Sequence, residues 1–279
     1  DITINGTELY LDILISNPTL QFKQKFQQKI NTALLKIYPS VSININFLFE
    51  KESASNSSPL DNVKNIIAIA SGKGGVGKST ISSNLAVALK KSGYAVGLID
   101  ADIYGPSIPL MFDAEDAKPK QIKKENKVFM EPIESYGVKI MSIGFFSNAS
   151  EAIVWRGPMA TKALKTILTQ TFWGDLDYLL IDLPPGTSDI HLSLVQTIPL
   201  TGALIITTPQ TVSLLDANKA ISMFNLKDIN VPVLGLVENM SWCEINDEKH
   251  YIFGRDGGKS LSNSKGISLL AEIPLNQSI

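Results

Sequence analysis

Residues Ser71-Gly-Lys-Gly-Gly-Val-Gly-Lys-Ser-Thr80 decide how the rest of this chain is read. Gly72, Gly77, Lys78 and Ser79 fit the pattern G-x-x-x-x-G-K-[ST], and with Gly74, Gly75, Val76 and Thr80 they make a loop whose backbone N–H groups can close round phosphate oxygens. The flanks are those such a loop requires. Ile66-Ile-Ala-Ile-Ala70 is an apolar run of strand length, and Ser79 to Lys91 reads as a helix. Strand, glycine loop and helix together aim a helix N-terminus at the phosphates. The chain is therefore expected to bind a nucleoside triphosphate, with Lys78 on the β- and γ-phosphates and the Ser79 hydroxyl on Mg²⁺.

Outward from the loop, strands and helices alternate from Val63 to the end, which predicts an α/β fold on a mostly parallel sheet flanked by helices. Candidate strands are 66–70, 95–100, 138–143, 178–183, 203–207 and 233–237, several of them continuously apolar, as expected of strands covered on both faces. Met159 to Phe172 reads as a helix with one apolar side, and the charged stretch Asp113–Lys127 as a solvated excursion. Residues 1–50 read as a small separate α+β domain. Leu9, Leu11, Ile13 and Ile15 alternate, Phe22 to Ile37 carries helical spacing, and Val41 to Phe49 alternates again. Residues 51–62, rich in Ser and Asn, read as a linker, leaving 63–279 as the nucleotide-binding domain.

Open parallel sheets bind ligands at the carboxyl ends of their strands. One such end is Asp100-Ala-Asp102, with two carboxylates near the loop; Asp102 either acts there or caps a turn. Another is Tyr178-Leu-Leu-Ile-Asp182-Leu-Pro-Pro-Gly186, where Asp182 is placed to help hold Mg²⁺ and Gly186 to offer an N–H to the γ-phosphate. The third ends in Asn239, whose side chain, donor and acceptor at once, suits the edge of an adenine ring or is satisfied locally.

Bulk properties fit a cytoplasmic protein. With 279 residues, 44% of them hydrophobic, there is material for a sizeable core, and a net charge of −2 gives no electrostatic reason to expect a nucleic-acid or membrane partner. One cysteine rules out an intramolecular disulfide framework, and no apolar stretch approaches membrane-spanning length.

The second lysine of the loop, Lys73, makes it resemble the deviant Walker A class of ATPases that includes MinD and ParA. In that class the early lysine crosses a dimer interface to the partner's phosphates, so the resemblance implies an ATP-dependent homodimer; a solvated loop lysine is the alternative. It also implies that Asp102 orients the attacking water and that Asn239 reads adenine. Asp100–Pro109, Trp155-Arg-Gly-Pro-Met159, Asp182–Asp189, Thr207-Thr-Pro-Gln210, Val237-Glu-Asn-Met-Ser241 and Ile252-Phe-Gly254 narrow the likeness to the Mrp/ApbC/Nbp35 group, with residues 1–50 resembling the MIP18-like domain often fused ahead of it. That narrower likeness implies an ATP-hydrolysing protein that assembles or transfers iron–sulfur clusters to apoproteins, its partners being those apoproteins or assembly factors. The alternative is an ATP-switched interaction dimer without cluster chemistry. Many members of the group hold a bridging [4Fe–4S] cluster through a Cys-x-x-Cys pair from each protomer. This chain reads Trp242-Cys243-Glu there, with Cys243 as its single cysteine and His250 seven residues on. Two copies would supply two thiolates, or with His250 a mixed set of four ligands.

Overall fold

The computed structural model describes residues 2–5, 8–15, 20–35, 38, 42–49, 59–124, 127–146, 157–187 and 189–276. The chain divides into two compact units, Asp1–Ser57 and Ser58–Ile279. Residues 51–58 of the expected linker, and Trp155 and Arg156, lie outside the described residues.

In the first unit, β1 (Ile2–Asn5) pairs antiparallel with β2 (Glu8–Ile15), α1 (Leu20–Leu35) crosses over, and β3 (Ser42–Phe49) returns parallel to β2. The helix is what makes that parallel return possible, since a tight turn can only join antiparallel strands. The alternation of Leu9 and Leu11 with Glu8 and Tyr10 puts the two leucines inside and the polar pair outside.

The second unit is built on an eight-stranded sheet. Its elements in chain order are β4 (Val63–Ser71), α2 (Lys78–Lys91), β5 (Val96–Asp100), α3 (Ile108–Met111), the hairpin strands β6 (Gln121–Lys124) and β7 (Lys127–Met130), β8 (Ile133–Ser135) and β9 (Val138–Ser142). A 3₁₀ turn (Ile143–Phe146) precedes α4 (Gly157–Gln170), followed by β10 (Leu176–Asp182), α5 (Asp189–Thr197), β11 (Gly202–Thr207), α6 (Thr211–Phe224) and β12 (Val233–Glu238). The chain then forms a hairpin, β13 (Cys243–Ile245) and β14 (Glu248–His250), before α7 (Gly257–Lys265) and β15 (Leu269–Glu272). Strand order is β15-β12-β11-β4-β10-β5-β9-β8, parallel throughout except where β8 pairs antiparallel with β9. This is the expected α/β sheet. Every residue of β5 and β11 is buried, because helices cover both faces.

The excursion at 113–127 differs from expectation. Gln121–Lys124 and Lys127–Met130 form an antiparallel ladder, so part of that charged stretch is ordered strand, though mostly exposed. Polar residues on both faces leave such a ribbon without the alternating apolar signal of a half-buried strand.

The central strands place the chemistry. β4, β10 and β5 lie side by side, and the register pairs Asp182 with both Ile69 and Asp100. Three strand ends, carrying the glycine loop and two carboxylates, therefore open on one edge of the sheet.

Candidate functional site

The glycine loop runs from the end of β4 straight into α2. Gly75 and Gly77 hold φ of +80° and +83°, the left-handed region open to glycine at no steric cost. Gly72 has another constraint: a Cβ there would stand 2.0 Å from the Asp216 carbonyl carbon, because the loop lies directly on the backbone of α6. The glycine loop, the segment after β10 and the strand ends enclose a cavity of about 230 Å³, with Lys73, Lys78, Ser79, Thr80, Asp102 and Pro185 among its lining residues.

Asp182 organises that cavity. It is fully buried, and Lys78 Nζ lies 2.8 Å from its Oδ1. The Ser79 hydroxyl donates to Oδ2 at 2.6 Å and the Ser82 hydroxyl to Oδ1 at 2.7 Å. A carboxylate and a hydroxyl at this spacing are hard oxygen donors, the set Mg²⁺ prefers. Ser79 and Asp182 thus fit the metal that the loop pattern implies, and when bound it would neutralise charge on the phosphate oxygens. Ser82 escaped sequence reasoning, since a helical serine carries no motif.

Asp100 is as buried as Asp182 and stands beside it. Burial, and next the Asp182 charge, push its carboxyl up to about 7. Three donors work against that rise: Ile108 N–H at 3.1 Å, the Ser142 hydroxyl at 3.0 Å and Asp102 N–H at 3.1 Å. Asp100 therefore holds the loop that carries Asp102 and starts α3. Asp102 itself is half-buried on the cavity wall. Burial raises its carboxyl above the ordinary value, the Lys78 charge opposes that, and the Tyr104 and Gly105 N–H groups also favour the ionised form.

The Gly186 N–H, expected to face the γ-phosphate, donates here to the Ser71 carbonyl at 2.9 Å and docks the segment after β10 on the end of β4, with Gly186 at φ +94°. Behind it, the buried ring of His191 in α5 bonds the Pro184 carbonyl through Nε2, and burial lowers its pKa, favouring the neutral ring. No sequence signal marked this histidine.

Lys73 is exposed at the cavity mouth. Asn239 is buried, and its Nδ2 donates to the Val76 carbonyl at 2.9 Å. Cys243 is half-buried on β13, directly opposite His250 of β14. Among the described residues no group of three or more His, Cys, Asp or Glu could hold a metal within one chain. No helix among them is long and apolar enough to cross a membrane.

The chain is 48% identical over 244 residues to an iron-sulfur cluster carrier protein of Pseudomonas fragi, covering 86% of this chain and 83% of that one. It is 50% identical over 226 residues to an iron-sulfur cluster carrier protein of Escherichia coli K12, covering 80% of this chain but 60% of the longer relative. A solved nucleotide-binding protein from Archaeoglobus fulgidus, in complex with ADP, superposes with a TM-score of 0.69 at 38% identity, over 79% of this chain and 85% of that one. Residues 62–279 match the family described as NUBPL iron-transfer P-loop NTPase, and the chain belongs to that family.

Proposed function

We propose that the protein is a cytoplasmic, homodimeric ATPase that assembles iron–sulfur clusters or transfers them to apoproteins. The observation that carries the ATPase half is the convergence of Lys78, Ser79 and Asp182 in one small cavity, with Asp102 on its wall. In this reading the loop N–H groups from Gly72 to Thr80 take the phosphate oxygens, and Lys78 leaves Asp182 for the β- and γ-phosphates. Ser79 and Asp182 hold Mg²⁺. Asp102 orients a water in line with the γ-phosphorus; the water oxygen bonds to phosphorus as the bond to the β–γ bridging oxygen breaks, that oxygen leaves with ADP, and one proton of the water is released. Gly186 exchanges the Ser71 carbonyl for the γ-phosphate, which makes Asp182–Gly186 a switch that senses hydrolysis. Lys73, exposed at the mouth, reaches the phosphates of a second protomer. Asn239 contributes to the base site.

The cluster is cargo, and its anchor in this reading is Cys243. Cross-strand pairing with His250 gives each protomer one thiolate and one imidazole on a single hairpin, so two protomers supply four ligands. The relatives' names support the carrier role, and the absence of a ligand cluster within one chain, among the described residues, fits a site shared between copies.

The test is iron and sulfide content per dimer after anaerobic reconstitution, beside Cys243→Ala and His250→Ala. Stoichiometric cluster that both substitutions abolish supports the proposal. A protein that hydrolyses ATP yet binds no iron would instead be an ATP-switched dimer that leaves cluster binding to another component.

A further inference from the structure

Asn239 ties two distant parts of this structure together. Its own N–H donates to the Thr207 carbonyl at 2.8 Å, which ties the end of β12 to the end of β11. Its side chain then crosses to the glycine loop and donates to the Val76 carbonyl, 163 residues away in sequence. A carbonyl can only accept, so the atom facing Val76 is the amide nitrogen and the amide orientation is settled chemically. Contact is tight: a Cβ on Gly77 would come 2.2 Å from Asn239 Nδ2.

The Val76 carbonyl and the Gly77 N–H belong to one peptide plane, in which a trans bond points them in opposite directions. Gripping the carbonyl from the Asn239 side therefore turns the Gly77 N–H away from Asn239. Gly77 lines the phosphate cavity, and it sits immediately before Lys78, the first residue of α2. Other fixings of the loop act near its start and at its end: the Ser71 hydroxyl on the Lys73 carbonyl, the Gly186 N–H on the Ser71 carbonyl, Gly72 against Asp216, and the Ile81 N–H on the Gly77 carbonyl. The Asn239 bond holds its middle.

We infer that Asn239 is a positioning residue for the phosphate loop. Its amide nitrogen fixes the 76–77 peptide so that the Gly77 N–H is presented to phosphate. Its amide oxygen and the second hydrogen of its amide nitrogen are then what it can offer to the base. One side chain thereby joins the base site to the phosphate site. This rests on the nucleotide reading above, and it adds to that reading a dependence of phosphate binding itself on Asn239.

A base-free probe separates the two. Dissociation constants of Mg·ATP and Mg·tripolyphosphate are measured by calorimetry for the wild-type protein and for Asn239→Ala, with Asn239→Ser as a second variant whose hydroxyl cannot span to Val76. Loss of a buried hydrogen bond that orients a ligand donor predicts about tenfold weaker binding of tripolyphosphate in the folded variants, and a loss at least as large for ATP, which also loses the base contact. Weakened ATP with unchanged tripolyphosphate would overturn the inference, because Asn239 would then read the base alone. A wild-type protein that binds neither probe would overturn the nucleotide reading itself. Folding is checked by thermal melting, and either variant suffices, since both remove the donor to Val76.

Discussion

Lys78 Nζ rests 2.8 Å from Asp182 Oδ1, an ion pair whose side chains are 6% and 0% exposed. The ammonium assigned to the phosphates is thus held by the carboxylate assigned to the metal. Removing one partner of a buried pair leaves the other charge unpaired, at a cost of about 3–5 kcal/mol. Lys78→Ala is expected to abolish ATP turnover and to lose stability of that order in urea unfolding. Lys78→Met with Asp182→Asn should regain most of the stability and none of the activity. If Lys78→Ala unfolded at the wild-type urea concentration, the pair would not be the buried contact described.

Ser79 and Ser82 both donate to Asp182, but to different oxygens and from different depths. Ser79 lines the cavity, whereas Ser82 is fully buried behind it, its hydroxyl oxygen 3.0 Å from the Lys78 carbonyl as well. A partner that orients a ligating carboxylate typically contributes about 10–100-fold in metal affinity. Ser82→Ala should therefore raise the Mg²⁺ concentration for half-maximal ATP hydrolysis by roughly tenfold. Ser79→Ala should raise it further, because in the proposed site that substitution removes a ligand. Equal Mg²⁺ dependence in Ser82→Ala and the wild type would reduce Ser82 to a packing role.

Much of this site is legible in the sequence because its signals are local. A glycine loop between an apolar run and a helix, and Asp182 at the end of Tyr178-Leu-Leu-Ile, are patterns within ten residues of chain, and the sheet register brings them together. The hidden parts depend on distant partners. Ser82 reads as an ordinary helical serine until β10 lies beside α2, and the Asn239 bond to Val76 joins the end of β12 to the distant glycine loop. The hairpin of β6 and β7 reads as a solvated excursion because Lys123, Lys124 and Lys127 mask its alternation. At four residues, with mostly exposed side chains, β15 offers too short a pattern to read.

Asp100 gives the protein a pH dependence of defined sign. Its folded carboxyl, pushed up to about 7 by burial and by Asp182, titrates above an unfolded carboxyl near the ordinary value of about 4. The native state therefore binds more protons in that window, and stability contributed by this group falls as pH rises from about 4 to about 7. His191, lowered by burial, works in the opposite sense, since its contribution is lost as pH falls. Comparing wild type with Asp100→Asn by urea unfolding at pH 5 and pH 8 isolates the carboxylate. The variant should lose less stability between the two pH values, by an amount on the order of a few kcal/mol at most. An identical difference in both proteins would place the titration elsewhere.

Lys73 and Asp102 line one cavity but have different expected destinations. Lys73 is exposed at the mouth, so Lys73→Ala should change stability by no more than about 0.5 kcal/mol. If it serves the nucleotide of a second protomer while Asp102 serves its own, each single substitution silences turnover for a different reason. Mixing them tests that directly. In a dimer of one Lys73→Ala and one Asp102→Ala protomer, the site with intact Asp102 receives Lys73 from the other chain and is complete. The opposite site lacks both groups. With random assortment half the dimers are mixed, so an equimolar mixture of two inactive variants should recover roughly a quarter of wild-type turnover. Recovery should disappear on dilution below the dimer dissociation constant, because a monomer cannot borrow the lysine. A mixture that stays as inactive as its components would place Lys73 on its own protomer's phosphates and remove the chemical reason for a dimer.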